Sequence, residues 1–239
     1  LKIVGVFVLA CLVMGVHLRE RLYVSQIRSF DANTYYIMAS TPELVPVDAP
    51  FAHRWLPHKL IAFVPLEAKR VYELLTWACL LATSCLLYVL LVRTRLPTVY
   101  VVGMVVLFFL WGRWGGRFYV WYRAATDPLA YLIIVGGFCA AYARNLPVLA
   151  LLCAVGAACR EHTFWLCPFY YLLQHGLRWA PRGAFRVAAA MLPSIAVAGF
   201  VHWVTPTLSN LSSPDRLAQH VVRNFGSITG FATVLVCFA

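Results

Sequence analysis

The chain has 239 residues, 62% of them hydrophobic and only 12% charged, with a net charge of +11. Soluble domains carry about 25% charged residues, so a soluble fold would have nowhere to hide this much apolar surface. The apolar runs are continuous rather than alternating, which argues against an outer-membrane barrel. The composition therefore predicts an all-α, multi-pass transmembrane helix bundle, a single domain over residues 1–239. Its basic residues sit singly or in pairs beside Trp and Tyr, as interfacial anchors do. That pattern disfavours nucleic acid as a partner. It favours the lipid bilayer, its anionic headgroups, or a phosphate-bearing substrate.

The first apolar run, IVGVFVLACLVMGV, has the character of a signal h-region but lacks a small-x-small cleavage site, so a span over 1–17 is expected. The chain has no starting Met and stops inside an apolar run, TVLVCFA, which reads as a piece of a longer protein with its C-terminal part missing. Further spans are expected at 71–92, 97–112, 128–143, 146–159, 163–175 and 185–204, with a cut-off one from about 228. A full crossing takes about 20 apolar residues. The shorter runs must recruit flanking aromatics, cross a thinned bilayer, or pack inside the bundle.

Between the first two spans lies a long loop, residues 18–70. Within it FDANTYYIMAS reads as a juxtamembrane helix along the membrane surface. Ala32, Tyr35, Tyr36 and Ala39 recur at helical spacing, and Ile37 and Met38 widen the stripe. Asp31 opens this segment. It reads as a helix cap, or as a general base if it activates a hydroxyl. Ser29 could cap equally well, which would leave Asp31 in the first turn, where the helix dipole favours its ionised form. TPELVPVDAP then breaks any helix. FAHRWLPHKL follows, with Arg54 and Trp55 suited to anchor at an interface; His53 and His58 make only a weak metal pair.

The connections fall into two sets. One is short and basic, with Arg93, Arg95, Arg144, Arg178, Arg182 and Arg186. The other is longer and mixed, and it or its borders hold all nine acids. Alternating spans put these sets on opposite sides, with the short basic turns cytoplasmic. On the mixed side, WGRWGGRFYVWYRAATDP carries Arg113, Arg117 and Arg123 among aromatics, with Gly115 and Gly116 allowing close backbone approach. The aromatics suit either an interfacial belt or a sugar face. Asp127, followed by Pro128, reads as a helix cap. In CREHTFW, Arg160 and Glu161 read as an ion pair anchoring a turn, or as a polar spot where Arg160 holds a phosphate and Glu161 and His162 flank it. The eight cysteines show no CxxC spacing and read as small buried hydrophobes. There is no P-loop, GxSxG or HExxH.

Taken in order, FDANTYY after the first span, PFAHRWLPHKL, and DPLAYLIIVGGFCAAYARNLPVLALLCAVGAACREHTFWLCP resemble the integral-membrane glycosyltransferases of the GT-C fold. The resemblance covers about residues 1–175. It implies transfer of a hexosyl or pentosyl group from a polyprenyl-phosphate donor to a hydroxyl of an acceptor glycan, lipid or protein, with inversion. The site would face the extracytoplasmic side of a bacterial inner membrane. Asp31 would be the catalytic base. Arg160, Glu161, Asp127, Arg54, Arg117, Arg123 and Tyr35 would bind substrate, with Arg160 and Arg117 or Arg123 meeting the leaving phosphate. Some members carry two acids after the first span and bind a metal there. This chain has one, so no metal ligand is assigned and a divalent metal stays open. The competing readings are a transporter or flippase, and a non-catalytic membrane protein. The nearly charge-free spans speak against transport.

Overall fold

The computed structural model describes residues 2–18, 30–40, 54–110 and 126–205. Every regular element among them is helical, and no strand occurs among them. In chain order these are α1 (Lys2–Leu18), α2 (Phe30–Ser40), α3 (Trp55–Ala62), α4 (Ala68–Val92), α5 (Thr98–Leu110), α6 (Asp127–Tyr142), α7 (Leu146–Ala157), a 3-10 turn (Glu161–Trp165), α8 (Leu166–His175) and α9 (Pro181–Val204). The expected run near 228 lies outside the described residues.

Seven of these helices fall on the apolar runs expected from the sequence, and α2 falls on the expected surface helix. The starts differ most: α4 and α9 begin earlier, with polar residues, and α8 begins at Leu166 rather than 163 because residues 161–165 form a 3-10 turn. Helix α4 starts three residues early because Glu67 and Arg70 form an i,i+3 pair at 3.6 Å and their backbones bond at 2.9 Å. Helix α9 starts at Pro181, whose fixed φ suits a first helical position. Two helices, α4 with 25 residues and α9 with 24, are long and apolar enough to cross a membrane. At 1.5 Å per residue each extends about 36 Å, against a hydrocarbon core of about 30 Å. The apolar helices α5, α6 and α7, with 13, 16 and 12 residues, fall short of that length.

Helix α4 packs along α6, α7 packs along both α6 and α9, and α1 lies against α4 and α5. Fourfold spacing builds the first core. Val6, Ala10 and Met14 of α1 meet Val101, Val105 and Phe109 of α5 and Leu80 of α4. A second core joins Ala140, Leu149, Cys153, Leu166, Cys167 and Val187 from α6 to α9. The outward faces stay apolar: Val4, Leu12, Leu107, Leu151, Leu192 and Ile195 are all exposed. A helix apolar all round belongs in an apolar surrounding.

The turn after α6 is a Schellman motif. The Asn145 amide reaches back to the Ala140 carbonyl at 2.9 Å, and Arg144 takes the left-handed position with φ 56°. Arg95, after α4, is left-handed too, with φ 59°. A non-glycine residue pays roughly 1 kcal/mol for that conformation.

Candidate functional site

Chain direction alternates, so the starts of α4 and α6 and the end of α7 lie at one end of the bundle. Helix α2 docks there on α3 and α4. Tyr35, 2% exposed, and Ala39 enter a core with Ile61, Val71 and Tyr72. Tyr36 meets Tyr72 edge-on, with ring centroids 5.5 Å apart. Of the expected stripe, Tyr35, Tyr36, Met38 and Ala39 face the core and Ile37 points outward, because only one face of so short a helix meets α3 and α4; the side chain of Ala32 lies outside what the structure describes. Helix α2 begins at Phe30, so Asp31 falls inside its first turn, four residues before Tyr35. The side chain of Asp31 lies outside what the structure describes.

Arg54 is not the interfacial anchor that its neighbour Trp55 suggests. It is 8% exposed, and its guanidinium donates to the Tyr35 hydroxyl. His58, one turn further on, is 1% exposed and stacks on Tyr35 at 4.9 Å. Its Nδ1 lies 2.5 Å from the Tyr72 hydroxyl, and that hydroxyl donates to the Tyr35 carbonyl at 3.2 Å. A phenol has one proton to give, so Nδ1 carries the imidazole proton and donates to Tyr72. His58 Nε2 has no partner among the described residues. Burial, with Arg54 and Lys59 adding to it, pushes the His58 pKa from 6.5 down to about 3, so the ring is neutral. The other histidine of that weak pair, His53, lies outside the described residues. No group of three metal-ligating side chains occurs among those described.

The Leu56 amide donates to the Ala158 carbonyl at 3.0 Å, so the start of α3 lies against the turn that follows α7. That turn carries Arg160, held by its neighbours. The Arg160 amide reaches the Gly156 carbonyl at 2.7 Å, and the Thr163 hydroxyl donates to the Arg160 carbonyl at 3.0 Å. Thr163 packs directly on Gly156. A Cβ at Gly156 would lie 2.5 Å from Thr163 Oγ1 and 2.7 Å from its Cβ. The guanidinium of Arg160 pairs with the Asp127 carboxylate, with the two side chains 20% and 23% exposed. Asp127 is therefore no cap: Thr126 precedes the helix, and the carboxylate turns to a cation 33 residues away. The backbone of Glu161 opens the 3-10 turn. The side chains of Glu161 and His162, and all of Arg113, Arg117 and Arg123, lie outside what the structure describes.

One end of the bundle thus brings together α2, the Tyr35–Arg54–His58–Tyr72 network, and the Asp127–Arg160 pair. The buried His58–Tyr72 bond and the Gly156–Thr163 contact are among the features not anticipated. Their sequence signals were slight: a histidine one turn after an arginine, and a small residue in a final helical turn. Such an arrangement can hold an anion beside a guanidinium and fix a helix that carries a carboxylate. Compared with known protein families, characterised proteins and solved structures, the chain matches none.

Proposed function

We propose that this chain is the catalytic part of a multi-pass membrane glycosyltransferase of the GT-C type. It moves a sugar from a polyprenyl phosphate to an acceptor hydroxyl at the polar end of the bundle, on the extracytoplasmic side. The observation that carries this reading is the shared location of α2, whose first turn holds Asp31, with buried Arg54 and the Asp127–Arg160 pair. In the reaction the acceptor oxygen attacks the anomeric carbon and its proton passes to the Asp31 carboxylate. The bond from that carbon to the phosphate oxygen breaks with its electron pair, and polyprenyl phosphate leaves as an anion. Arg160 and Arg54 meet that anion. A guanidinium is planar and always charged, and it forks onto phosphate oxygens. The Asp127 carboxylate keeps Arg160 oriented. The two apolar helices long enough to cross a membrane agree with a lipid-linked donor, which must reach the site from within the bilayer.

The test is transfer from a radiolabelled polyprenyl-phosphate sugar by membranes holding the full chain. Asp31→Asn should lower transfer about a hundredfold or more, with yield and thermal midpoint unchanged. Wild-type transfer by this variant would remove Asp31 from the mechanism.

A further inference from the structure

We propose that the opposite end of the bundle is a binding face for anionic phospholipid headgroups. Three connections meet there. A thiol–carbonyl contact of 3.7 Å from Cys139 to Leu86 ties the last turn of α6 to the C-terminal half of α4. The Gln174 amide reaches the Ala141 carbonyl at 3.4 Å and brings in the end of α8. These connections present Arg93, Arg95, Arg144, Arg178, Arg182 and Arg186, all exposed, and no acid occurs in residues 93–97, 143–145 or 176–186.

A helix C-terminus attracts cations through its dipole, and that accounts in part for the arginines that follow α4, α6 and α8. It does not account for Arg182 and Arg186. Arg182 lies in the first turn of α9, where the dipole repels a cation, and Arg186 follows one turn later on the same face, away from any helix C-terminus. Local stability also fails to explain Arg95 and Arg144. Both occupy left-handed positions that glycine fills without strain. Cations placed against the helix dipole and against backbone preference call for an anion outside the chain.

The apolar neighbours identify it as a lipid. Leu177 is 96% exposed, Trp179 80% and Phe185 76%, all beside the arginines. Leu177 and Trp179 sit on a built loop: the Tyr171 hydroxyl accepts from the Ala180 amide at 2.8 Å and donates to the Arg178 carbonyl at 2.8 Å. A free phosphate gains nothing from an ordered Leu and Trp. A phospholipid offers both a charged headgroup and an apolar region for these side chains. The inference rests on the membrane reading of the chain and not on sugar transfer.

The experiment takes the full chain in a neutral detergent. It follows the thermal midpoint and the lipids retained in native mass spectrometry, with phosphatidylglycerol, phosphatidylcholine or inorganic phosphate added. Phosphatidylglycerol should raise the midpoint and be retained, while phosphatidylcholine and phosphate should do neither. The triple variant Arg178→Gln, Arg182→Gln, Arg186→Gln should bind phosphatidylglycerol about a hundredfold more weakly. Arg144→Gly should raise the lipid-free midpoint yet retain less phosphatidylglycerol, a split that a purely structural arginine would not produce. Equal response to the two lipids, a matching response to inorganic phosphate, or an undiminished response in both variants would overturn the proposal. Recovery of the full chain in the soluble fraction without detergent would overturn the membrane reading beneath it.

Discussion

Replacing Gly156 with alanine isolates the contact that positions Arg160. Two effects of opposite sign compete. Alanine favours the helix by about 1 kcal/mol over glycine. Against this, the new Cβ would lie 2.7 Å from the Thr163 Cβ, whereas ordinary contact begins at 3.4 Å. A side-chain rotation cannot relieve that clash, because the Thr163 Cβ is attached directly to the backbone. The 3-10 turn must retreat by about 0.7 Å, and overpacking of this kind costs about 1–3 kcal/mol. The same retreat loosens the Thr163 hydroxyl from the Arg160 carbonyl, now 3.0 Å apart, at a further cost of about 1 kcal/mol. The net loss is about 1–3 kcal/mol, which lowers the thermal midpoint of a chain this size by about 3–9 °C. The assay is the thermal midpoint of the detergent-solubilised full chain. Thr163→Ala is added in a double-mutant cycle, because it removes two of the three clashing atoms and should couple to the first change. A midpoint raised by Gly156→Ala, with strict additivity in the cycle, would mean that helix propensity alone acts there and that the turn is not held by this contact.

Asp127→Ala leaves Arg160 facing a lost carboxylate in a mostly buried place. Removing one partner of a fully buried pair costs about 3–5 kcal/mol, and the 20% and 23% exposure of these side chains reduces this to about 1–3 kcal/mol. A cycle with Arg160→Ala should show coupling, and its absence would argue that the pair is not formed. Tyr35→Phe removes an acceptor from buried Arg54 and should cost about 1–3 kcal/mol; a variant as stable as the parent would argue against that bond. For His58 the folded pKa is depressed, from 6.5 to about 3, so the unfolded chain binds more protons between these values. The stability it contributes is complete above pH 6.5 and is lost as pH falls toward 3. By pH 5 the loss is about 2 kcal/mol. The midpoint should therefore fall between pH 6.5 and 5 in the parent and fall less in His58→Gln. Parallel profiles would show that His58 does not titrate this way.

Much of the helical layout was legible in the sequence, because runs such as TVYVVGMVVLFFL carry their own length and limits. So was the gathering of the three short basic connections, and the inward face of Tyr35 and Ala39. What could not be read is set by partners far along the chain. Arg54 beside Trp55 has the local look of an interfacial anchor, yet its acceptor is 19 residues away on another helix. Asp127 before Pro128 has the local look of a cap, yet its cation is 33 residues away. Cys153 and Cys167 read as separate small hydrophobes, and packing sets their sulfurs 3.5 Å apart. In each case the local pattern admits two uses of one side chain, and only the tertiary arrangement selects between them.

The helical hairpin of α6 and α7 is closed at both ends, by the Schellman turn at Arg144 and by the Asp127–Arg160 pair. Its internal contacts are near in sequence, so the entropy lost in forming them is small. Contacts of that kind tend to form early in folding. Helix α4 then has α6 to dock on from one flank, and α9 has α7 from the other. The two longest apolar helices of the described chain thus assemble on a template made of two shorter ones. A defect in the short hairpin would propagate outward as misassembly of the long helices, far from the residue that was changed.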